Sequence, residues 1–151
     1  QNYHNFEMLY PEFTFILDDD LHGQALVKIN RNHLEQIMII LLDNAIKYST
    51  TRKEIHIAVA NDERYAQVAV QDFGEGISEE DKKKVFHRFY RVDKARSREK
   101  GGNGLGLAIA QQLVEGYDGN VSLESSVGHG SVFRIELPLV RETKTTSEDD
   151  N

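Results

Sequence analysis

Between Asn30 and Tyr48 the chain carries a helix that cannot stand alone in water. Leu34, Ile37, Met38, Leu41, Ala45 and Tyr48 follow the three-and-four spacing of one helical face. Ile39, Leu42 and Ile46 form a second apolar stripe on the opposite side. A helix apolar on two sides is expected to be buried on two sides, so the remaining elements have to cover both. Asn30 supplies a suitable N-cap.

The cover reads mostly as strands. Residues 13–17 and 25–29 are expected to be short strands separated by the acidic turn Asp18-Asp19-Asp20. Residues 54–60 alternate, with Ile55, Ile57 and Val59 on one face. A turn at 61–64 then leads to a returning strand at 66–71, with Val68 and Val70 inward. Ser78 is a good N-cap for a helix through about Val85, with Glu79, Glu80 and Asp81 where the helix dipole favours acids. Residues 93–103 are charged and glycine-ended and are expected to form a mobile loop. Residues 105–116 are helical by pattern, and 121–125 and 131–137 close a second hairpin around Gly128-His129-Gly130. The order is two strands, helix, hairpin, helix, loop, helix, hairpin. It predicts an α+β fold, a two-layer sandwich whose mixed, mostly antiparallel sheet is covered on one face by about three helices. Residues 1–11 read as a linker or the remnant of a preceding element, 12–140 as one domain, and the polar tail 141–151 as disordered.

Bulk properties remove several function classes. With 151 residues, 39% hydrophobic and 28% charged, the chain has the composition of a soluble globular domain. Its longest apolar run, Ile37 to Leu42, is far short of the roughly 20 residues that span a bilayer. No signal peptide is visible. Without cysteine there is no disulfide and no thiolate metal site. A net charge of −7 argues against general nucleic-acid binding. Positive charge nevertheless collects at Lys82 to Lys84 and from Arg88 to Lys100, which suits a small anionic ligand.

Four segments carry the chemistry. In Gly102-Asn103-Gly104-Leu105-Gly106-Leu107, alternate glycines leave backbone amides open to an anion, and the following helix would offer its N-terminus to a phosphate. A plain hinge explains the string equally well, and no apolar strand precedes it as a dinucleotide fingerprint would require. Asp72 ends a strand, where its carboxylate can accept a hydrogen bond from an exocyclic amine. Gly74 and Gly76 would let a purine lie close to the backbone, although this motif alone is better explained as a strand-terminating turn. Asn44 lies beside the apolar stripe of the long helix, with Lys47 and Tyr48 within about one turn. Its amide oxygen suits magnesium, Lys47 a phosphate and Tyr48 a nucleoside, while a polar helix C-terminus is the plainer alternative. Phe86 to Arg91 is the fourth segment, and Gly128 to Ser131 a weaker fifth.

In this order the segments closely resemble the catalytic domain of sensor histidine kinases, within the ATPase superfamily that includes DNA gyrase, Hsp90 and MutL. The Asn44 helix is similar to the family's N box, Asp72 to Gly76 to the first glycine box, and Phe86 to Arg91 to the F box. Gly102 to Leu107 looks like the second glycine box, and Gly128 to Ser131 like a third. The likeness covers residues 12 to 139. It implies a Bergerat-type ATP-binding fold, with ATP and Mg2+ between the long helix and the sheet under a lid at 93–103. Carried over by position, Asn44 would hold magnesium and Asp72 would read the adenine amine. Lys47, Tyr48 and Arg91 would contact phosphate or nucleoside, with Asn44, Lys47 and Arg91 serving catalysis. Gly102, Gly104, Leu105 and Gly106 would shape the lid hinge and the phosphate end. Phe86 and Phe89 would pack the lid base. Catalysis would be positioning and charge neutralisation at the γ-phosphate.

The chain departs from that pattern at two positions. Ile40 stands one turn before Asn44, where the family usually has a second asparagine and its hydrolytic branch a glutamate that activates water. Ile40 cannot activate water, and it implies weaker or rearranged magnesium binding. Phe73 stands where asparagine is common. None of His4, His22, His33, His56, His87 or His129 has metal-ligand spacing or lies in a phospho-accepting string, so each reads as surface or packing. The resemblance therefore implies that the accepting histidine is on a dimerisation segment outside this chain, with onward transfer to a response regulator. The expected whole is a membrane-anchored homodimeric receptor with this domain in the cytoplasm, and the expected isolated domain is a monomer. The alternatives are a nucleotide-binding regulatory module weakened at Ile40 and an anti-sigma-type serine kinase of the same fold.

Overall fold

A computed structural model describes residues 8–21, 26–49, 52–87 and 106–140. In chain order they form β1 (Thr14–Asp20), α1 (Arg31–Tyr48), β2 (Glu54–Asn61), β3 (Tyr65–Asp72), α2 (Glu79–Lys82), α3 (Gly106–Gly116), β4 (Asn120–Ser125) and β5 (Ser131–Pro138). The strands make one sheet in the order β1-β2-β3-β5-β4. β1 runs parallel to β2 and every other pairing is antiparallel. The fold is α+β, with a mixed sheet as expected.

The period-two pattern explains the layering. Leu17, Ile57, Val70, Phe133 and Leu123 form one cross-strand row, and Val59, Val68, Ile135 and Val121 another. Ile57, Val70, Phe133, Leu123, Val68, Ile135 and Val121 of these rows share a single core with Ile37, Leu41, Leu42, Ala45 and Ile46 of α1 and Val114 of α3, while Leu17 on the edge strand stays exposed. α1 packs against α3 and against β2 and β3, while α3 packs against β4 and β5. The opposite face carries the alternate residues, among them His56, Gln71 and Arg134. Asn30 caps α1 as predicted, its Oδ1 accepting from the amides of Asn32 at 2.8 Å and His33 at 3.3 Å. At this same end of α1, Tyr117 Oη stands 2.6 Å from His33 Nδ1 and accepts from the Asn30 amide, tying α1 to the end of α3.

Four expectations are corrected. Asp18-Asp19-Asp20 is the end of β1 and not a turn, because the parallel ladder continues through Asp18↔Ala58, Asp19↔Val59 and Asp20↔Ala60 at an exposed edge where charge is tolerated. The strand expected at 25–29 reduces, over its described part, to one bridge between Val27 and Leu139, with the Val140 amide bonded to Leu26 O. The helix begun at Ser78 lasts a single turn. Beyond it the chain closes three-residue turns instead, the Lys84 amide on Asp81 O and the His87 amide on Lys84 O. Finally, Leu42 and Ile46 are buried but Ile39 is 46% exposed, so the second stripe of α1 is only partly covered.

Candidate functional site

Ile40, Asn44 and Tyr48 lie at i, i+4 and i+8 along the flank of α1, a stripe about 12 Å long at 1.5 Å per residue. At one end, Gly106 opens α3 with its α-carbon turned toward Ile40, so that an added Cβ would lie 3.4 Å from Ile40 Cγ2. At the other end the backbone of Gly74 meets the last turn of α1, and a Cβ there would fall 1.6 Å from Tyr48 O. The half-buried Asn44 stands between. One helix flank thus joins the turn after β3 to the start of α3, an 11-residue helix with no acidic residue in its first turn. Within the described residues, an anion at that end would meet a helix N-terminus whose first turn carries no carboxylate.

Asp72 is the last residue of β3 and belongs to the inner row, paired with Ser131. It is 2% exposed. Burial pushes its carboxyl up to about 6, against the opposing effect of hydrogen bonds from the backbone of Gly74 and Ser131. The Gly74 amide donates to Oδ1 at 3.1 Å. At Gly74 the space of a side chain is filled by the Tyr48 carbonyl, and at Gly76, with φ +80°, by the Ser126 carbonyl, so the protein backbone by itself already requires glycine at both.

Lys47 lies on α1 between this stripe and the next flank. Its ammonium is 3.4 Å from Asp43 Oδ2. Both residues line a neighbouring cavity of about 400 Å3, with Tyr10, Phe13 and Lys53 among the other walls. The structure therefore brings Asn44, Tyr48, Asp72, Gly74 and Gly106 together along one line and sets Lys47 at its margin. Gly76 lies one turn behind, against the β4–β5 connection. Phe86 packs edge-to-face on the core residue Phe133, with centroids 6.0 Å apart, in keeping with a supporting role. Arg91, Phe89, Gly102, Gly104, Leu105, the expected lid at 93–103 and the tail from 141 lie outside the described residues.

The donor set constrains any metal. Among the described residues no group of three or more His, Asp or Glu is placed to hold an ion. A bare divalent cation is therefore poorly served, whereas one arriving on a nucleotide needs only a single neutral oxygen such as that of Asn44, since phosphates and water supply the rest. That fits magnesium carried by ATP.

Sequence reasoning missed the residues that hold Asp72 in place. Ser49, 3% exposed, accepts from the Phe73 amide at 3.1 Å. Its single hydroxyl proton faces two carbonyls, Arg52 O at 2.8 Å and Glu54 O at 3.2 Å. On the other side, Ser125 Oγ contacts Ser131 Oγ at 2.9 Å and receives the Ile77 amide at 2.7 Å, closing the row beyond Asp72. The one available signal was the serine directly after the final turn of α1.

Residues 29–141 match the family of histidine kinase-, DNA gyrase B-, and HSP90-like ATPases. The signal transduction histidine-protein kinase ArlS of Staphylococcus aureus (strain USA300) is 40% identical over 133 residues, which is 87% of this chain and 29% of ArlS. The chain thus spans under a third of that relative. Among solved structures, the mycobacterial sensor histidine kinase MprB superposes with a TM-score of 0.75 at 22% identity, covering 93% of this chain and 91% of that one. The catalytic domain of histidine kinase ThkA gives 0.74 at 26% identity, covering 93% and 90%. Full-length ShkA in complex with AMPPNP gives 0.73 at 20% identity, covering 93% of this chain and 30% of that one.

Proposed function

The chain belongs to the histidine kinase-, DNA gyrase B-, and HSP90-like ATPase family, as the ATPase domain of a histidine kinase, and from that premise we propose how its residues serve the reaction. ATP lies along the flank of α1, adenine at the β3 end and phosphates toward the start of α3. Asp72 accepts the adenine amine and Tyr48 packs beside the nucleoside. Asn44 gives its amide oxygen to the magnesium that neutralises the phosphates. Lys47 exchanges Asp43 for phosphate, and Arg91 with Gly102, Gly104 and Leu105 completes the phosphate end. Gly106 presents the amides of α3. Residues 12–140 act as this unit.

The γ-phosphoryl then leaves ADP for a ring nitrogen of a histidine on the receptor's own dimerisation segment, and passes from there to an aspartate of a response regulator. The domain's part is alignment and charge compensation. The observation that carries this reading is the single stripe Ile40–Asn44–Tyr48, which connects the Asp72–Gly74 turn to the start of α3 at about the length of a nucleoside triphosphate. The proposed whole is a homodimeric, membrane-anchored receptor with this domain on the cytoplasmic side. Among the described residues no helix is long and apolar enough to cross a membrane.

Incubating the chain with the histidine-bearing segment and γ-labelled ATP tests the proposal. Acid-labile label on the added segment is expected, and nucleotide binding without transfer would overturn the kinase assignment. That second outcome would favour a regulatory module, a reading supported by Ile40, whose apolar side chain supplies no ligand one turn from Asn44.

A further inference from the structure

Phe73 directly follows Asp72, and because strand side chains alternate, its ring falls on the outer face of the sheet, behind the Asp72–Gly74 turn. That ring is gripped from two sides. The Arg52 guanidinium stands 3.9 Å above its centroid. The His56 ring meets it edge-on, with centroids 4.9 Å apart and planes at 70°. Glu54 sets both jaws with one oxygen, which accepts from Arg52 Nη2 at 2.7 Å and lies 3.0 Å from His56 Nε2. Arg52, and after it His56, hold the Glu54 carboxyl below its usual range, so the centre of the clamp stays charged at neutral pH.

The Phe73 backbone is fixed from the inner side as well, by the bond from its amide to Ser49 Oγ at 3.1 Å. The peptide that leads from Asp72 into the glycine turn is therefore held at both faces. The inner hold also fixes the start of the segment that carries Arg52 and Glu54, through Ser49. We propose that Arg52, Glu54 and His56 clamp Phe73 as positioning residues for base recognition, fixing the direction of the Asp72 carboxylate from behind without touching the ligand. The inference rests on the reading of Asp72 as the adenine acceptor.

Arg52 is half exposed and can be replaced without opening the core. Calorimetric titration of the chain with ADP and with GDP, both with magnesium, compares wild type, Arg52→Ala and Arg52→Lys. Loss of a cation over the ring is expected to weaken ADP about three- to tenfold in Arg52→Ala. The preference for ADP over GDP shrinks by a similar factor, because GDP has no 6-amino group for Asp72 to read. Arg52→Lys, which keeps a cation above Phe73, recovers part of both. Unchanged ADP affinity in Arg52→Ala, or equal weakening of ADP and GDP, overturns the clamp while leaving the nucleotide site standing. A wild-type chain that binds neither nucleotide overturns the site itself, and the clamp with it.

Discussion

Asp72 carries two opposed requirements. As the proposed adenine acceptor it would take the amine proton as a carboxylate, yet burial at 2% exposure raises its pKa from an ordinary 3.8 to about 6. A raised carboxyl pKa means that its contribution to folded stability is fully present below about pH 3.8 and is lost as pH rises through about 6. The shift corresponds to about 3 kcal/mol at most. Asp72→Asn should therefore stabilise the ligand-free protein at pH 7 by up to that amount and leave it nearly unchanged at pH 4, as measured by urea denaturation at both values. Binding runs the other way. If only the carboxylate reads adenine, lowering the pH from 7 to 5 should weaken ADP about tenfold, since one proton then competes at a group titrating near 6. Asp72→Asn should abolish that slope, and a slope that persists in the variant would mean another group is responsible. The place of Asp72 is legible in sequence as an acid that ends a strand, and its proposed role follows from that place. Ser49, Ser131 and the Arg52–Glu54–His56 clamp are not, because the contacts that give them a role are set by sheet register and by the end of α1, which no local pattern records.

At the scale of elements, residues with strong local signals fall where the pattern puts them. Asn30 caps α1, and Ile55, Ile57, Val68 and Val70 face inward. The misreadings occur where a distant partner decides. Asp18 to Asp20 remain in β1 only because β2, some forty residues later, offers a parallel ladder. Ile39 reads as core by spacing, but the described residues cover its side of α1 only at Leu42 and Ile46 and leave Ile39 itself exposed. The contact at the far end of the helix layer gives a further prediction. Tyr117 Oη joins the Asn30 amide and His33 Nδ1, some five helical turns from Tyr48. Tyr117→Phe should cost about 1–2 kcal/mol in urea denaturation while leaving ADP affinity unchanged. A matching loss of affinity would show that the two ends of α1 are coupled. Gly74→Ala is the opposite case. A Cβ placed 1.6 Å from Tyr48 O forces β3 and α1 apart, so both stability and ADP binding should fall, the former by at least about 2 kcal/mol.

For the molecule as a whole, charge and topology together determine what magnesium can do. The chain bears a net charge of −7, so a polyphosphate approaches a protein of its own sign. Neutralising the phosphates matters more here than in a basic domain, yet the described residues offer no cluster of acids or histidines to hold the ion in advance. The ion should therefore bind with the nucleotide and not before it. Topology sets the consequence for stability. The proposed site spans α1, the end of β3 and the start of α3, so a ligand there ties together elements from both halves of the chain, and binding to the folded state alone shifts unfolding by mass action. At a hundredfold excess over its dissociation constant the gain is about 2.7 kcal/mol, or roughly 5–10 °C in melting temperature for a domain of this size. Magnesium alone should leave the melting temperature unchanged, ADP alone should raise it slightly, and the two together should give the full shift, with chelation returning it to the ADP-only value. A shift of several degrees with magnesium alone would reveal a preformed metal site and remove Asn44 from its assigned part.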